Sequence, residues 1–160
     1  MTMLEHKMGN LREFDEKTLE TVIVRATAVK ARIVSRDERD QGPRNMLNFG
    51  HTVGHAIEAV TDFKVNHGTA IAVGVVIAAR IARRLGLFLQ RDMERLTGVI
   101  TAAGLPVAMP EINIADVLEA IKHDKKVSGG RVTFILPVRI GQVIVTDKVD
   151  LAMVTEALTE

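Results

Sequence analysis

Residues 44–58, RNMLNFGHTVGHAIE, constrain this chain more than any other stretch of its sequence. Polar residues recur here at steps of four, three, four and three. At 3.6 residues per turn these steps predict one polar face on a single helix, formed by Arg44, Asn48, His51, His55 and Glu58. The opposite side carries four apolar residues that we predict to be core, namely Leu47, Val53, Ile57 and Val60. An arginine, an asparagine and two histidines on one face are unusual for a merely solvated surface, so we interpret this face as a functional site.

Two glycines lie inside the same predicted helix. Gly50 and Gly54 each lower helix propensity by about 1 kcal/mol relative to alanine. Because they are four residues apart, they share one side of the helix. Their presence predicts a close approach of another backbone, or of a ligand, on that side.

Composition excludes several other functions. A net charge of +1 provides no electrostatic attraction to nucleic acid or to an anionic membrane. The absence of cysteine excludes disulfides, thiolate metal sites and a cysteine nucleophile, and it fits a cytoplasmic protein. Aromatic residues make up only 3% of the chain, which argues against base stacking. The most apolar run, residues 69–79, is too short to cross a bilayer.

Hydrophobic periodicity predicts a mainly α-helical, bundle-like domain over residues 15–160 with one small β-hairpin. We expect a loose arm or the end of a helix in residues 1–14. The predicted helices cover residues 15–36, 44–58, 69–85, 90–103, 113–123 and 150–158, with Asp15 and Asp150 as N-caps. The helix that ends at His123 opens at either Asn113 or Asp116. The runs 131–136 and 142–146 flank Gly141 and predict the hairpin.

Lys30 borders an apolar stripe on the helix of residues 15–36. The stripe consists of Leu19, Val22, Ile23, Ala26, Val29 and Ile33. Lys30 is either a lysine whose stem covers this stripe or an ammonium group held at a pocket edge for an anion.

Three interpretations of His51 and His55 compete. A zinc peptidase motif, H-E-x-x-H, requires glutamate directly after the first histidine, and Thr52 stands there instead. Histidines satisfied by hydrogen bonds in a polar core do not explain Arg44 and Asn48 on the same face. A metal and anion site explains both, because imidazole suits zinc and arginine suits phosphate or carboxylate.

A catalytic zinc site takes about three protein ligands and keeps one position open. The candidates are His51 with His55 or His67, and Glu58 as a possible carboxylate ligand. His67 precedes the apolar helix and is therefore expected at a helix N-terminus. Spacing alone leaves the choice among these ligands open.

Several motifs resemble those of 3-dehydroquinate synthases. The core of the resemblance is Asn-x-Gly-His-Thr-x-Gly-His-Ala-Ile-Glu at residues 48–58, which is specific to that family and its sugar-phosphate cyclase relatives. The other motifs follow in family order: Lys30-Ala31 to Gly42, His67-Gly68 before a small-residue helix, Asp124-Lys125-Lys126, Ile135-Leu136-Pro137 and Ile140-Gly141. The resemblance covers nearly the whole chain from about residue 15, and it implies the helical C-terminal domain of the dehydroquinate synthase fold.

The resemblance implies a role for each candidate site residue. His51 and His67 match two histidine ligands of a zinc or cobalt ion. His55 matches an active-site histidine that assists proton transfer beside the metal. Substrate-binding roles fall on Lys30, Arg44, Asn48 and one of Lys125 and Lys126.

The resemblance also implies an activity. In that family, NAD and zinc convert 3-deoxy-D-arabino-heptulosonate 7-phosphate to 3-dehydroquinate and phosphate, a step of the shikimate pathway. A ring hydroxyl is oxidised, phosphate leaves by β-elimination, the hydride returns and the opened ring closes by an aldol step. The implied partners are this sugar phosphate and often a second copy of the chain, with no nucleic acid and no membrane.

This sequence departs from the family pattern at several points. The N-terminal NAD-binding domain is absent from these residues, and so is the third zinc ligand, a glutamate in an Ala-Glu-Val-Ile-Lys motif. We therefore expect no catalysis by this chain alone and a NAD-binding domain supplied in cis or in trans. Thr69 replaces a usual glutamate, which removes a carboxylate next to a ligand, and Asp40 replaces another.

Two other functions remain open. One is a non-catalytic remnant or assembly domain with the same fold, which the missing ligand and Thr69 favour. The other is part of another sugar-phosphate cyclase.

Overall fold

A central apolar helix, α4 (His67–Arg84), organises the fold. The computed structural model describes residues 1–37, 42–123, 127–128 and 131–160. Small and β-branched residues cover α4 nearly all round, and ten of its residues are buried. Helix α3 (His51–Val60), helix α5 (Gln90–Ala102), helix α7 (Leu151–Thr159) and strand β2 (Arg131–Arg139) pack around it.

The mainly helical prediction with one β-hairpin is confirmed. The remaining described elements are helix α1 (Thr2–Arg12), helix α2 (Glu16–Val34), a 3₁₀-helix (Pro43–Asn48), helix α6 (Ile114–His123), and strands β1 (Val127–Ser128) and β3 (Gln142–Asp150). The strands form one antiparallel sheet in the order β1-β2-β3, so the short β1 adds an edge strand that was not predicted. Within the described ranges, no helix is both long and apolar enough to cross a membrane.

Side-chain caps set several helix boundaries as predicted. Asp15 accepts a hydrogen bond from the amide of Thr18 at 2.9 Å, and Asp150 accepts one from the amide of Met153 at 2.8 Å. Hydrogen bonds from the hydroxyl and amide of Thr18 lower the pKa of Asp15 below its ordinary value. At the start of α6, Asn113 accepts from the amide of Ala115 at 2.9 Å, which selects Asn113 over Asp116 as the opening residue.

Residues 1–14 contain an 11-residue helix, α1, where the sequence predicted a loose arm or the end of a helix. Leu4, Met8 and Leu11 lie at helical spacing and face Val99 and Ile100 of α5 across a shared cleft. Glu5 of α1 also pairs with Arg95 of α5 through two hydrogen bonds of 2.8 and 3.0 Å. These contacts hold α1 against α5, although the apolar pattern of α1 in the sequence is short.

The prediction of one helix over residues 44–58 is wrong. A 3₁₀-helix ends at Asn48, the chain turns at Phe49 and Gly50, and α3 begins only at His51. Gly50 has a φ of +84°, a left-handed conformation that glycine adopts without strain. The five predicted face residues therefore lie on two elements that meet at Gly50.

Close backbone contact between α3 and α4 is confirmed and explains the glycines. A Cβ atom added to Gly74 would lie 2.0 Å from the carbonyl oxygen of Gly50 and 2.9 Å from the nitrogen of Gly54. A Cβ atom on Gly50 would lie 2.8 Å from the backbone nitrogen of Val75. Three glycines thus allow the two helices to touch through their main chains.

The hairpin covers the open side of this helix pair. Strands β2 and β3 run longer than predicted and turn at Gly141, which has a φ of +87°. Val132, Phe134 and Leu136 alternate along β2 and are at most 2% exposed. This inner face of β2 packs on α4.

The apolar stripe of α2 lies mostly at the surface of this chain. Ile23 is 61% exposed and Val29 is 45% exposed, and the neighbouring Val24 is 59% exposed. The only buried residue of α2 is Thr18. The sequence pattern is therefore amphipathic, although the described residues do not cover its apolar side.

The glycine contact predicts opposite effects of two alanine substitutions. Gly74→Ala forces α3 away from α4 and should lower the free energy of unfolding by about 1–3 kcal/mol. Gly98→Ala is the matched control, because Gly98 lies in α5 and an added Cβ meets nothing within 4 Å. It should raise the free energy of unfolding by about 0.5–1 kcal/mol. Chemical denaturation measures both, and equal effects would contradict the contact.

The Glu5–Arg95 pair predicts a pH-dependent attachment of α1. The hydrogen bond from Arg95 lowers the pKa of Glu5 below its ordinary value of 4.5. A lowered pKa in the folded state stabilises the fold above the unfolded pKa, and this contribution is lost as pH falls through the folded pKa. Glu5→Gln should therefore lower the melting temperature at pH 7, and this difference should shrink as pH falls through the folded-state pKa, below 4.5. A difference that did not change with pH would contradict an ionic origin.

Candidate metal centre

Three histidine rings gather where α3 meets the start of α4. His51 and His55 lie one turn apart on α3, and His67 is the first residue of α4. The ring centroids are 5.1 Å apart for His51 and His55, 5.5 Å for His51 and His67, and 6.1 Å for His55 and His67. The structure thus brings together all three histidines that the sequence singled out.

The turn between the helices places His67. Asp62 and Phe63 have φ values of +49° and +58° and reverse the chain after α3. Asn66 then caps α4 by accepting a hydrogen bond from the amide of Thr69 at 2.9 Å. The glycine contact between α3 and α4 keeps the returning helix close, so His67 faces the α3 histidines.

A buried carboxylate lies beside the rings. Glu58 is 8% exposed, and its Oε1 lies 3.0 Å from Nδ1 of His67. The sequence placed Glu58 on the polar face as a possible metal ligand. The donor atoms of His55, Glu58 and His67 all lie within 4.8 Å of one another.

His51 has a different partner. Its Nδ1 lies 3.3 Å from the backbone carbonyl oxygen of Phe49, in the turn before α3. A ring whose Nδ1–H donates to this carbonyl carries its lone pair on Nε2. A backbone carbonyl or a carboxylate at one ring nitrogen is the usual partner of a histidine whose other nitrogen binds a metal.

These donor atoms suit a divalent metal ion of intermediate hardness. Three imidazoles and one carboxylate are the ligand types that Zn²⁺ accepts. His55 and His67 are exposed, so a metal can reach their rings from solvent, whereas Glu58 lies beneath them. No other group of metal-binding side chains of this kind occurs among the described residues.

The predicted substrate-binding residues lie on other elements. Arg44 and Asn48 belong to the 3₁₀-helix that leads into Gly50, and both are partly buried. Lys30 is exposed on α2, which packs against that 3₁₀-helix. Lys125 and Lys126 lie outside the described residues, as does Asp40.

Sequence reasoning missed a role for Asp37. Its Oδ2 accepts hydrogen bonds from the amide of Gly42 at 2.8 Å and from the amide of Arg44 at 3.1 Å. The carboxylate thereby fixes the first turn of the segment that carries Arg44. These bonds span five and seven residues, further than the local aspartate turns that a sequence pattern reveals, so the sequence carried no specific signal for them.

Comparison with known proteins identifies the family of this chain. The profile of the 3-dehydroquinate synthase C-terminal family matches residues 1–127. This chain belongs to that family. A 3-dehydroquinate synthase from Synechococcus is 44% identical over 149 residues, and one from Dehalococcoides mccartyi is 42% identical over 147 residues. Each alignment covers 92% of this chain but only 40% and 41% of the relative, so the chain spans about two fifths of their length.

Solved structures share the fold. A 2-deoxy-scyllo-inosose synthase, crystallised with carbaglucose-6-phosphate, NAD⁺ and Co²⁺, superposes with a TM-score of 0.81 at 27% identity. That alignment covers 89% of this chain and 42% of the synthase. A 2-epi-5-epi-valiolone synthase from Streptomyces hygroscopicus with bound NAD⁺ and Zn²⁺ has a TM-score of 0.82 at 20% identity, covering 99% of this chain and 45% of its own. At that identity it supports the fold alone.

Metal binding by the chain is expected to depend on the cluster and not on its other histidines. His67→Ala removes one ring of the cluster. It should weaken Co²⁺ binding by more than roughly 10–100-fold, which is the typical loss when a residue that only supports a metal ligand is substituted. His123→Ala is the control, because His123 is exposed on α6 and pairs with Glu119. Visible absorption during Co²⁺ titration measures both. Equal losses in the two variants would place the metal elsewhere.

Proposed function

We propose that this chain is the metal- and substrate-binding part of a 3-dehydroquinate synthase. It would convert 3-deoxy-D-arabino-heptulosonate 7-phosphate to 3-dehydroquinate and phosphate together with a NAD-binding domain, and have no activity alone. The observation that carries the proposal is the cluster of His51, His55 and His67, in a chain 44% identical to a 3-dehydroquinate synthase. Activity of the isolated chain would contradict the need for the second domain.

His51 and His67 hold the metal, zinc or cobalt, in this proposal. Each presents Nδ1 to an acceptor, the carbonyl of Phe49 or the carboxylate of Glu58. This pattern supports the two residues as ligands because it orients Nε2 toward a metal. The metal, when bound, acts as a Lewis acid that polarises the hydroxyl group to be oxidised. A further ligand comes from outside these 160 residues.

His55 serves the substrate. Its ring lies next to both proposed ligands and is exposed, so a bound sugar can reach it. Among the described residues it forms no hydrogen bond through its ring, unlike His51 and His67. His55 therefore accepts or returns a proton at a substrate oxygen beside the metal.

Cationic and amide side chains hold the anionic substrate. The proposed binding residues are Arg44 and Asn48 of the 3₁₀-helix, Lys30 of α2, and Lys125 or Lys126, which lie outside the described residues. Their charges complement a phosphate and a carboxylate, and a bidentate arginine also orients such a group. Asp37 supports this role because it fixes the backbone at Arg44.

The partner we propose is a NAD-binding domain, joined in cis or supplied in trans, in a cytoplasmic enzyme that also forms a homodimer. The 2-deoxy-scyllo-inosose synthase with bound NAD⁺ is more than twice the length that this chain matches. The exposed apolar side of α2, with Ile23 and Val24, supports an additional packing surface.

Another sugar-phosphate cyclase is the second candidate. The likeness to a 2-deoxy-scyllo-inosose synthase, with a TM-score of 0.81, favours this reading of the fold. The higher identity to 3-dehydroquinate synthases, 44% against 27%, favours the first candidate. The identity of the product distinguishes the two.

A chimera tests the proposal. This chain replaces the matching C-terminal part of the Synechococcus 3-dehydroquinate synthase, and the purified chimera is assayed with NAD, Zn²⁺ and the sugar phosphate. We expect phosphate release and 3-dehydroquinate formation. A folded chimera that binds zinc without turnover would favour a non-catalytic remnant of the same fold.

Substitutions in the chimera separate the roles of the histidines. His55→Ala should lower the turnover number by about 10²–10⁴-fold while the metal content stays unchanged, because general acid–base catalysis contributes that range. His51→Ala should lose both metal and turnover. His123→Ala should keep both. If His55→Ala lost the metal and His51→Ala retained it, His55 would be the metal ligand and His51 the residue that serves the substrate.

A further inference from the structure

Glu58 is the least expected side chain near the histidines. Among the described residues, it is the only ionisable side chain in the buried class, where the other polar members are Thr18 and Thr52. A buried carboxylate is unfavourable unless hydrogen bonds or an opposite charge compensate for lost hydration. Glu58 therefore needs a partner, and His67 is that partner at 3.0 Å.

The contact fixes which nitrogen of His67 carries the proton. An ionised carboxylate only accepts hydrogen bonds, so Nδ1 of His67 must donate. The neutral ring then bears its lone pair on Nε2, on the other side of the imidazole. The ring is accessible from solvent, because the His67 side chain is 58% exposed, whereas the Glu58 side chain is 11% exposed.

Glu58 reaches His67 across the helix pair. It belongs to the last turns of α3, whereas His67 begins α4, so the bond joins the two elements that carry the cluster. Thr69 lacks a carboxylate, and its amide instead completes the cap made by Asn66. The group that supports the His67 ring thus comes from nine residues earlier in the chain.

We propose that Glu58 is a positioning residue that holds His67 as the Nδ1–H tautomer and directs Nε2 to a divalent metal. This inference rests on the proposed metal site and assigns to Glu58 a role other than that of a ligand. Oε1 is engaged by His67, and the carboxylate lies beneath the rings, away from solvent. A carboxylate in this position orients the ring and raises the basicity of the nitrogen that meets the metal.

The test measures the tautomer and the metal affinity separately in the full chain. Long-range ¹⁵N–¹H correlation spectra of the metal-free chain report the protonated nitrogen of His67, and titration with Co²⁺ or Zn²⁺ alone reports affinity. Glu58→Ala should abolish the fixed tautomer and weaken metal binding by about 10–100-fold. Glu58→Gln should restore the tautomer, because the amide oxygen also accepts from Nδ1–H, and should recover part of the affinity.

Control variants keep the result interpretable. Thr52→Ser changes another buried polar residue of α3 and should leave tautomer and affinity unchanged. Circular dichroism checks that each variant retains its helices. If Glu58→Ala does not fold, the tautomer and affinity of Glu58→Gln decide.

Two results would overturn the assignment. A His67 tautomer that is unchanged in Glu58→Ala would remove the positioning role. A Glu58→Gln variant that loses as much affinity as His67→Ala, with an altered Co²⁺ spectrum, would make Glu58 a ligand. Because a further ligand is proposed to lie outside these residues, the affinities are also measured in the chimera. If the chimera bound neither metal, the proposed function would fail, and the metal-positioning role of Glu58 would fail with it, whereas either result above overturns the assignment alone.

Discussion

Direct main-chain contact between α3 and α4 is the constraint on which the site depends. Glycine at three positions lets the carbonyl of Gly50 approach the Cα of Gly74 at a distance that no side chain permits. Gly50 and Gly54 each precede a histidine of the cluster, so the contact fixes the histidines as well as the helices. The apolar packing of Val53 and Ile57 then makes this spacing rigid, because both are at most 1% exposed.

The cluster combines exposed imidazole rings with a buried carboxylate. The rings of His55 and His67 face solvent, whereas the groups that hold rings in place are the Glu58 carboxylate and the Phe49 carbonyl. In the proposed function, the exposed rings are accessible to a substrate and to a ligand from another domain. This arrangement fits a chain that matches about two fifths of the length of its 3-dehydroquinate synthase relatives.

The sequence predicted the helices whose apolar pattern and caps agree, as at Asp15 and Asp150. It also predicted that the glycines allow a close approach of another backbone or of a ligand, and the structure shows a backbone. The sequence did not reveal the break at Gly50. The polar residues keep a helical spacing in the sequence on both sides of Gly50, although the chain turns there through a left-handed conformation that glycine adopts readily. The sequence singled out all three histidines, yet the pairing of Glu58 with His67 depends on a chain reversal at Asp62 and Phe63 that carries no periodic signal. The amphipathic pattern of α2 predicted which side of the helix is apolar, but it did not predict what covers that side.

The left-handed turn at Gly50 separates the candidate site residues into two segments of the chain. The 3₁₀-helix with Arg44 and Asn48 is anchored by Asp37 on one side of this turn, and the histidines of α3 are anchored by α4 on the other. Under the proposed roles, a substitution in residues 43–48 would therefore alter substrate binding while the proposed metal-binding frame keeps its geometry. The proposed site would then combine an exchangeable recognition segment with a fixed chemical centre, an arrangement in which new substrate preferences could arise without rebuilding the chemistry.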